Sequence, residues 1–154
     1  MDDRKPIKEI RVSDLLSETK RSKVASIGKD SPIRDAIAAM LENYKTRKVY
    51  VLDEGDKLVG TITLETLLRY AGYTLGVREA GITSFLKMLT EIGDEKAAQV
   101  MIKPTKITAD EPIVSAAKLM VENHLNDLPV VDDSGRLVAE LNGMDILRYA
   151  QKSW

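Results

Sequence analysis

The chain contains an internal repeat, which constrains its fold more than any other feature of the sequence. Residues 30–44 (DSPIRDAIAAMLENY) resemble residues 110–124 (DEPIVSAAKLMVENH) at an offset of 80 positions. After a one-residue deletion, residues 49–71 (VYVLDEGDKLVGTITLETLLRYA) match residues 128–150 (LPVVDDSGRLVAELNGMDILRYA) at an offset of 79. A repeat of about 48 residues is therefore present in two copies, and each copy is expected to build one similar structural unit.

Each copy predicts the same order of secondary structure. In the first copy, apolar residues from Ile33 to Tyr44 recur at helical spacing, with Pro32 in the first turn and Asp30 or Ser31 as a cap. The segments "VYVLD" and "LVGTI", joined by "EGDK", predict a β-hairpin, and a second helix carries "LLRYA". With a short preceding strand, near residues 24–27 or 106–108, each copy is β-α-β-β-α.

The expected fold class is therefore α+β (mixed α/β), with two repeats packed against each other because one copy alone buries its sheet and helices poorly. A helix ending near Gly93 is predicted between the copies. The predicted divisions are a polar N-terminal tail (1–10), repeat 1 (11–72), a helical linker (73–96) and repeat 2 (97–154).

Composition excludes several classes of site. The 154 residues carry a net charge of −1 and no cysteine, which excludes disulfides, thiolate nucleophiles and cysteine zinc sites. The single histidine, His124, cannot by itself form a multi-histidine metal centre, and no G-x-x-x-x-G-K phosphate loop is present. The sequence therefore predicts neither an enzyme nor a metal site. It contains no apolar run of about 18 residues that would span a membrane, and the lack of cysteine and of a signal peptide favours the cytoplasm.

The ordered set of motifs resembles cystathionine-β-synthase (CBS) domains. Both copies have the D-x-P helix start, the apolar strand, the turn and a helix start similar to G-h-h-T-x-x-D-L-L, where h is apolar. "VSDLL" (12–16) and "AAQVM" (97–101) lie where the family has V-x-D-h-M. Two such domains in tandem resemble a Bateman module, in which the two repeats are related by a pseudo-twofold axis.

The resemblance implies a regulatory protein without catalytic activity or a required cofactor. Its ligand would be an adenosine-containing molecule bound in a cleft between the repeats: AMP, ADP or ATP, with S-adenosylmethionine as a further candidate. The resemblance also implies a homodimer, and a regulated partner protein that the sequence does not identify.

The resemblance also assigns ligand contacts. In the family pattern T-x-x-D, the Asp accepts hydrogen bonds from the ribose hydroxyls and the Thr or Ser lies near phosphate. The second copy keeps the acid as Asp145 but has Asn142 in place of Thr, whereas the first keeps Thr63 but has Thr66 in place of Asp. A hydrogen bond to a charged group contributes roughly 1.5–3 kcal/mol, so the cleft containing Asp145 is expected to bind ligand more tightly.

The opposite walls implied for the two clefts differ as well. The cleft containing Thr66 would face Asn126 and Asp127, whose negative charge repels phosphate. The other cleft would have Gly28 where this one has Thr108, and glycine permits close approach of the backbone to a ring. In the cleft containing Asp145, the cations Arg47 and Lys48 would bind phosphate. The first-copy residues implied for the Asp145 cleft are Ile27, Gly28, Lys29, Arg47 and Lys48.

These residues also have structural interpretations. Asn142 followed by Asp145 is typical of a helix N-cap with an acidic residue in the first turn, and Thr63 is likewise a cap candidate. Arg47 and Lys48 are typical of a solvated basic loop. Capping and ligand binding can coexist at one residue.

Two further functions stay open at this point. The chain could be an interaction or scaffold protein that keeps the fold for assembly without binding a ligand. A basic cluster (Lys20, Arg21 and Lys23) near the N-terminus could bind nucleic-acid phosphate. The cluster lacks interleaved aromatic residues and a recognition helix, which argues against nucleic acid.

Overall fold

The computed structural model describes residues 5–18, 24–42, 46–75 and 86–152. The chain divides into two compact units. Ala25–Pro104 form what we call the first-repeat unit; Met1–Val24 and Thr105–Trp154 form the second-repeat unit. The predicted cluster at 20–23, and Tyr44 in the predicted helical stripe, lie outside the described residues.

The order of elements confirms the fold class predicted from the repeat. In chain order they are α1 (Val12–Glu18), β1 (Ser26–Gly28), α2 (Ile33–Glu42), β2 (Lys48–Leu52), β3 (Leu58–Thr63), α3 (Leu64–Leu75), α4 (86–91), β4 (Ile107–Thr108), α5 (Ile113–Glu122), β5 (Asp127–Val131), β6 (Leu137–Asn142) and α6 (Gly143–Gln151). Short 3-10 turns span Ile7–Glu9, Ile92–Asp94 and Ala97–Gln99. The helix predicted to end near Gly93 is α4, which ends at residue 91 and is followed by a 3-10 turn.

The first-repeat unit contains a three-stranded sheet in the order β1-β2-β3. The first pair is parallel and the second is antiparallel, with a bulge between Val51 and Leu52. The central strand β2 is buried at Val49, Tyr50 and Val51, as expected for an apolar strand covered by helices. Buried residues of α2 and α3 complete one core with it.

The second-repeat unit repeats this design with a sheet in the order β4-β5-β6. The bulge recurs at the equivalent place, between Val130 and Val131. Its core includes Val12 and Leu15 of α1, and Ile10, which lies two residues before α1. The N-terminal segment therefore belongs structurally to the unit built by the second repeat.

Each unit thus contains the segment that begins the other predicted repeat in the sequence. "VSDLL" (12–16) lies in the second-repeat unit and "AAQVM" (97–101) lies in the first-repeat unit. The compact units are consequently divided differently from the repeats. The boundaries set by repeat, at residues 11, 72 and 97, stay a prediction.

The residues just before these two segments supply acceptors at the N-termini of α2 and α5. The N–H of Ile33 donates to Glu95 O at 2.8 Å, and the N–H of Ile113 donates to Ile10 O at 2.9 Å. Pro112 is the N-cap residue of α5, in extended conformation and without a side-chain cap. Among the described residues no side chain of Asp30 or Ser31 caps α2, so that expectation is wrong. The backbone carbonyl of Glu95 supplies an acceptor at this helix start instead.

Candidate functional site

Asn142 and Asp145 form a capping box at the start of α6. The side-chain Oδ1 of Asn142 accepts a hydrogen bond from Met144 N at 2.8 Å. Asp145 Oδ2 accepts one from Asn142 N at 3.1 Å. The structural interpretation of this pair is therefore correct, and the capping box fixes the position of the carboxylate.

The carboxylate of Asp145 is also paired with a cation on the same helix. Arg148 Nη1 lies 3.1 Å from Asp145 Oδ1, and the Asp145 side chain is only 11% exposed, against 54% for Arg148. A carboxylate near a helix N-terminus is stabilised by the helix dipole. The sequence analysis missed Arg148, although its i+3 spacing in "DILR" was the available signal.

The first-repeat unit has a neutral version of the same arrangement at the start of α3. Thr66 N donates to Thr63 Oγ1 at 3.0 Å, and the two hydroxyl oxygens lie 2.8 Å apart. The arginine equivalent to Arg148 is Arg69, which pairs with Glu65. Because Thr66 replaces a carboxylate with a hydroxyl, this turn lacks the strong charged acceptor of its counterpart.

The strands next to these two turns carry opposite charges. In the first-repeat unit, Arg47 O accepts a hydrogen bond from Leu64 N at 2.9 Å, and Lys48 pairs with Thr63 in the sheet register. Lys48 Nζ also lies 5.9 Å from the centroid of the Tyr50 ring, which allows a cation–π contact. The structure therefore places the two predicted cations beside the threonine turn of their own unit.

The equivalent neighbours in the second-repeat unit are Asn126 and Asp127. Asn126 O accepts a hydrogen bond from Gly143 N at 2.7 Å, and Asp127 pairs with Asn142 in the register. Asp127 and Asp145 thus lie near the same end of the strand pair. Within this unit the turn at Asn142 therefore has one acidic residue on β5 and one in the first turn of α6.

The loop from Ile27 to Ser31 contains the remaining predicted residues. Ile27 packs against the core of the first-repeat unit, and Gly28 ends β1. Lys29 is held by its backbone N–H, which donates to Leu52 O at 2.8 Å, and its Nζ lies 3.5 Å from Glu54. A methyl group on Gly28 would lie 3.3 Å from Ser31 Oγ, so the serine side chain crowds this position.

The equivalent loop of the second-repeat unit contains a residue that the sequence analysis missed. Glu111 Oε2 accepts hydrogen bonds from Thr108 N at 2.7 Å and from Thr108 Oγ1 at 3.4 Å. The available signal was the change from "DSP" at 30–32 to "DEP" at 110–112 within an otherwise similar motif.

Two carboxyl groups elsewhere have lowered pKa values. The pKa of Asp14 is lowered because the backbone N–H of Arg11 and the ammonium of Lys5 donate to it. The pKa of Asp132 is lowered by donors from Ser134 and Arg136 in the hairpin turn. Both carboxylates close local backbone turns, so they are structural groups and do not indicate acid–base chemistry.

The described residues contain no group of three His, Asp or Glu side chains that could hold a metal ion. Over the same ranges, no helix has the length and apolar content needed to cross a membrane.

Comparisons with known proteins agree with this architecture. A CBS domain protein from Thermotoga maritima is 29% identical, with a TM-score of 0.72 over 94% of this chain and 96% of that one. A CBS domain protein from Pyrobaculum aerophilum, solved in complex with AMP, is 18% identical, with a TM-score of 0.65 over 92% and 99% of the two chains. The latter likeness concerns the fold alone.

This chain spans about a quarter of the length of a curated relative that it matches. Homoserine O-acetyltransferase from Methanococcoides burtonii is 30% identical over 139 residues, which cover 89% of this chain but 23% of that relative. The CBS domain model matches residues 7–73 and 97–152 of the present chain. The two matched segments include most of the sequence, and the chain therefore belongs to the CBS domain family.

Proposed function

We propose that this protein is a regulatory module that binds an adenine nucleotide (AMP, ADP or ATP), and that Asp145 is the main polar contact. The observation that carries the proposal is the difference between the two helix starts. Asp145 presents a nearly buried carboxylate held by Asn142 N and Arg148, whereas Thr66 presents only a hydroxyl. A relative of the same fold has been solved with AMP, which supports this class of ligand.

The proposed role of Asp145 is to accept hydrogen bonds from the two ribose hydroxyls. A carboxylate offers about four acceptor positions, whereas the hydroxyl of Thr66 offers two. Capping fixes the side chain before the ligand arrives, which lowers the entropy lost on binding. In this proposal Asn142 is mainly a positioning residue.

The first-repeat residues are proposed to contact the base and the phosphate. Arg47 and Lys48 supply cations suited to phosphate oxygens, and Lys29 adds a third positive charge. Ile27 offers an apolar side chain, and Gly28 offers a backbone without a side chain, for contact with the adenine ring. Thr63 and Thr66 are assigned to a second and weaker site, because neutral hydroxyls are weaker acceptors than a carboxylate.

Regulation would follow from a conformational preference of the ligand. A nucleotide shifts the protein between two arrangements only to the extent that it binds one of them more tightly. We infer that a regulated partner protein reads this shift, and that no catalysis by this module is involved. The absence of cysteine in the sequence suits a reducing compartment such as the cytoplasm.

Self-association is part of the proposal. Equivalent helices of both units expose apolar side chains, namely Leu41 (65%) with Val121 (75%), and Leu68 (43%) with Leu147 (61%). Apolar residues exposed at equivalent places suit burial in a homodimer. Sedimentation equilibrium tests this point, with a dimer expected and a monomer at high concentration contradicting it.

The ligand class is tested by calorimetric titration of ligand-stripped protein with AMP, ADP, ATP and S-adenosylmethionine. Saturable binding of at least one adenine nucleotide is expected. If none of the four compounds binds, the proposal fails, and the exposed apolar residues would then favour an assembly role without a ligand.

A further inference from the structure

The loops 28–31 and 108–111 are copies of each other in backbone structure. Ser31 N donates to Gly28 O at 3.0 Å, and Glu111 N donates to Thr108 O at 3.3 Å. The carbonyl oxygen of Ser31 accepts a hydrogen bond from Ala97 N at 2.8 Å, and that of Glu111 accepts one from Val12 N at 2.9 Å. The two loops therefore differ in their side chains and share their conformation.

The sheet leaves one backbone amide of each loop pointing away from its neighbouring strand. Among the strands of the described residues, β1 lies at the edge of its sheet and pairs only with β2. Tyr50 N donates to Ala25 O and Lys29 N donates to Leu52 O, so the odd-numbered residues on either side of β1 exchange hydrogen bonds with β2. In a parallel pair the alternate residue faces outward, so the N–H of Gly28 points away from β2. By the same register, Thr108 N points away from β5.

The two outward-pointing amides differ in whether the protein supplies an acceptor for them. Thr108 N donates to the carboxylate of Glu111 at 2.7 Å, and the Thr108 hydroxyl lies 3.4 Å from the same oxygen. Gly28 N has no acceptor among the described residues, and the hydroxyl of Ser31 beside it likewise has no recorded partner there. One loop thus supplies its own acceptor, while the other presents two donors next to each other.

Resting on the function proposed above, we infer that Glu111 is a built-in acceptor that closes its loop to the nucleotide, and that Ser31 keeps the equivalent loop open. In the open loop, Gly28 N and Ser31 Oγ donate to an acceptor atom of the nucleotide, a ring nitrogen or a phosphate oxygen. The identity of this one residue in each repeat therefore determines which loop accepts ligand.

The chemistry of the closed loop supports this role. A hydrogen bond from an amide to a carboxylate is roughly twice as strong as one between neutral groups. A ligand atom would have to displace the Glu111 carboxylate from Thr108 N. Because this carboxylate belongs to the same loop, it binds the amide without losing the translational and rotational freedom that a ligand loses. The side chain of Thr108 adds a second obstacle where the other loop has only the hydrogen of Gly28.

The inference predicts that closure can be transferred to the first repeat. In Ser31→Glu, the new carboxylate should bond Gly28 N and weaken binding of AMP at least about tenfold, which is 1.4 kcal/mol. Glu111 shows that the same backbone accommodates this side chain, so the variant should keep the thermal midpoint of the wild type. Ser31→Ala is the matched control, and should weaken binding less than Ser31→Glu does, because it removes only one of the two proposed donors and Gly28 N stays open.

Uncharged adenosine separates occupation of the amide from charge repulsion. Ser31→Glu should weaken binding of adenosine as well as AMP, and the amide proton resonance of Gly28 should shift downfield because it gains a strong acceptor. Loss of AMP binding with unchanged adenosine binding would overturn the inference, since repulsion of phosphate would then account for the effect.

Wild-type affinity of Ser31→Glu for both ligands would also overturn the inference while leaving the proposed function intact. If the wild-type protein binds none of AMP, ADP, ATP and adenosine, the proposed function fails and this inference fails with it. The two failures are therefore distinguished by the wild-type titration.

Discussion

Asn142 donates its backbone N–H to Asp145 Oδ2 at 3.1 Å, which joins the end of β6 to the first turn of α6. The same carboxylate is the proposed acceptor for the ribose. A residue with two roles needs variants that separate them, and Asn142 offers the comparison because it shares the cap without carrying a charge.

Loss of the capping box should lower stability to a similar extent from either side. Asp145→Ala and Asn142→Ala should each reduce the free energy of unfolding by about 1 kcal/mol, because each removes a side-chain acceptor for a helix N-terminal amide. Urea denaturation followed by circular dichroism measures the change. Unchanged unfolding midpoints in both variants would contradict the capping geometry.

Gly60 is predicted to be intolerant of any side chain. A Cβ there would lie 2.7 Å from both Cβ and Cγ of Met101 and would also clash with its Sδ, because residues 101–102 run along β3 with hydrogen bonds of 3.0 and 2.9 Å between Thr61 and Ile102. Gly60→Ala should therefore cost about 1–3 kcal/mol of stability, as overpacking does. Adding Met101→Ala should recover part of the loss in the same denaturation experiment. If the double variant is no more stable than Gly60→Ala, the contact with the Met101 side chain is not the source of the lost stability.

The hairpin turns predict opposite effects for two glycine substitutions. Gly135 has φ +87°, so Gly135→Ala should lose about 1–2 kcal/mol from the left-handed backbone. Gly55 has no positive φ and is equivalent to Ser134, so Gly55→Ala should gain about 0.4–1 kcal/mol by restricting the unfolded chain. Thermal unfolding of the two variants checks the signs, and a loss in both would contradict the account.

Asp14 should make stability depend on pH in the acid range. Its folded-state pKa is lowered below 3.8 by the N–H of Arg11 and by Lys5, so its contribution is fully present above the unfolded value. That contribution is lost as pH falls from about 4 through the folded pKa. Asp14→Asn should therefore be less stable than wild type at pH 7, and the difference should shrink toward pH 3 in urea titrations. A constant difference would argue against the assignment.

The repeat was sufficient to predict the order of elements in each unit, because helical and alternating apolar spacing survive in both copies. It did not predict where α1 packs. "VSDLL" lies at the start of the predicted first repeat, yet Val12 and Leu15 lie in the core of the second-repeat unit. Sequence order alone does not specify which of two similar surfaces a segment covers.

The candidate residues show a similar division. The pair Asn142 and Asp145 was predicted as a cap from spacing, and the capping box is observed. Arg148 and Glu111 were missed because charged residues in exposed helices and loops are common, and only the geometry shows that they pair with Asp145 and Thr108. The contacts proposed for Lys29, Arg47 and Lys48 stay predictions.

The most direct test of the central claim is the AMP affinity of Asp145→Ala compared with that of Asn142→Ala, measured by calorimetric titration. Both variants lose the capping box, but only the first loses the charged acceptor. The account predicts that Asp145→Ala binds AMP at least about tenfold more weakly than Asn142→Ala. Equal affinities in the two variants would contradict the claim that Asp145 contacts the ligand.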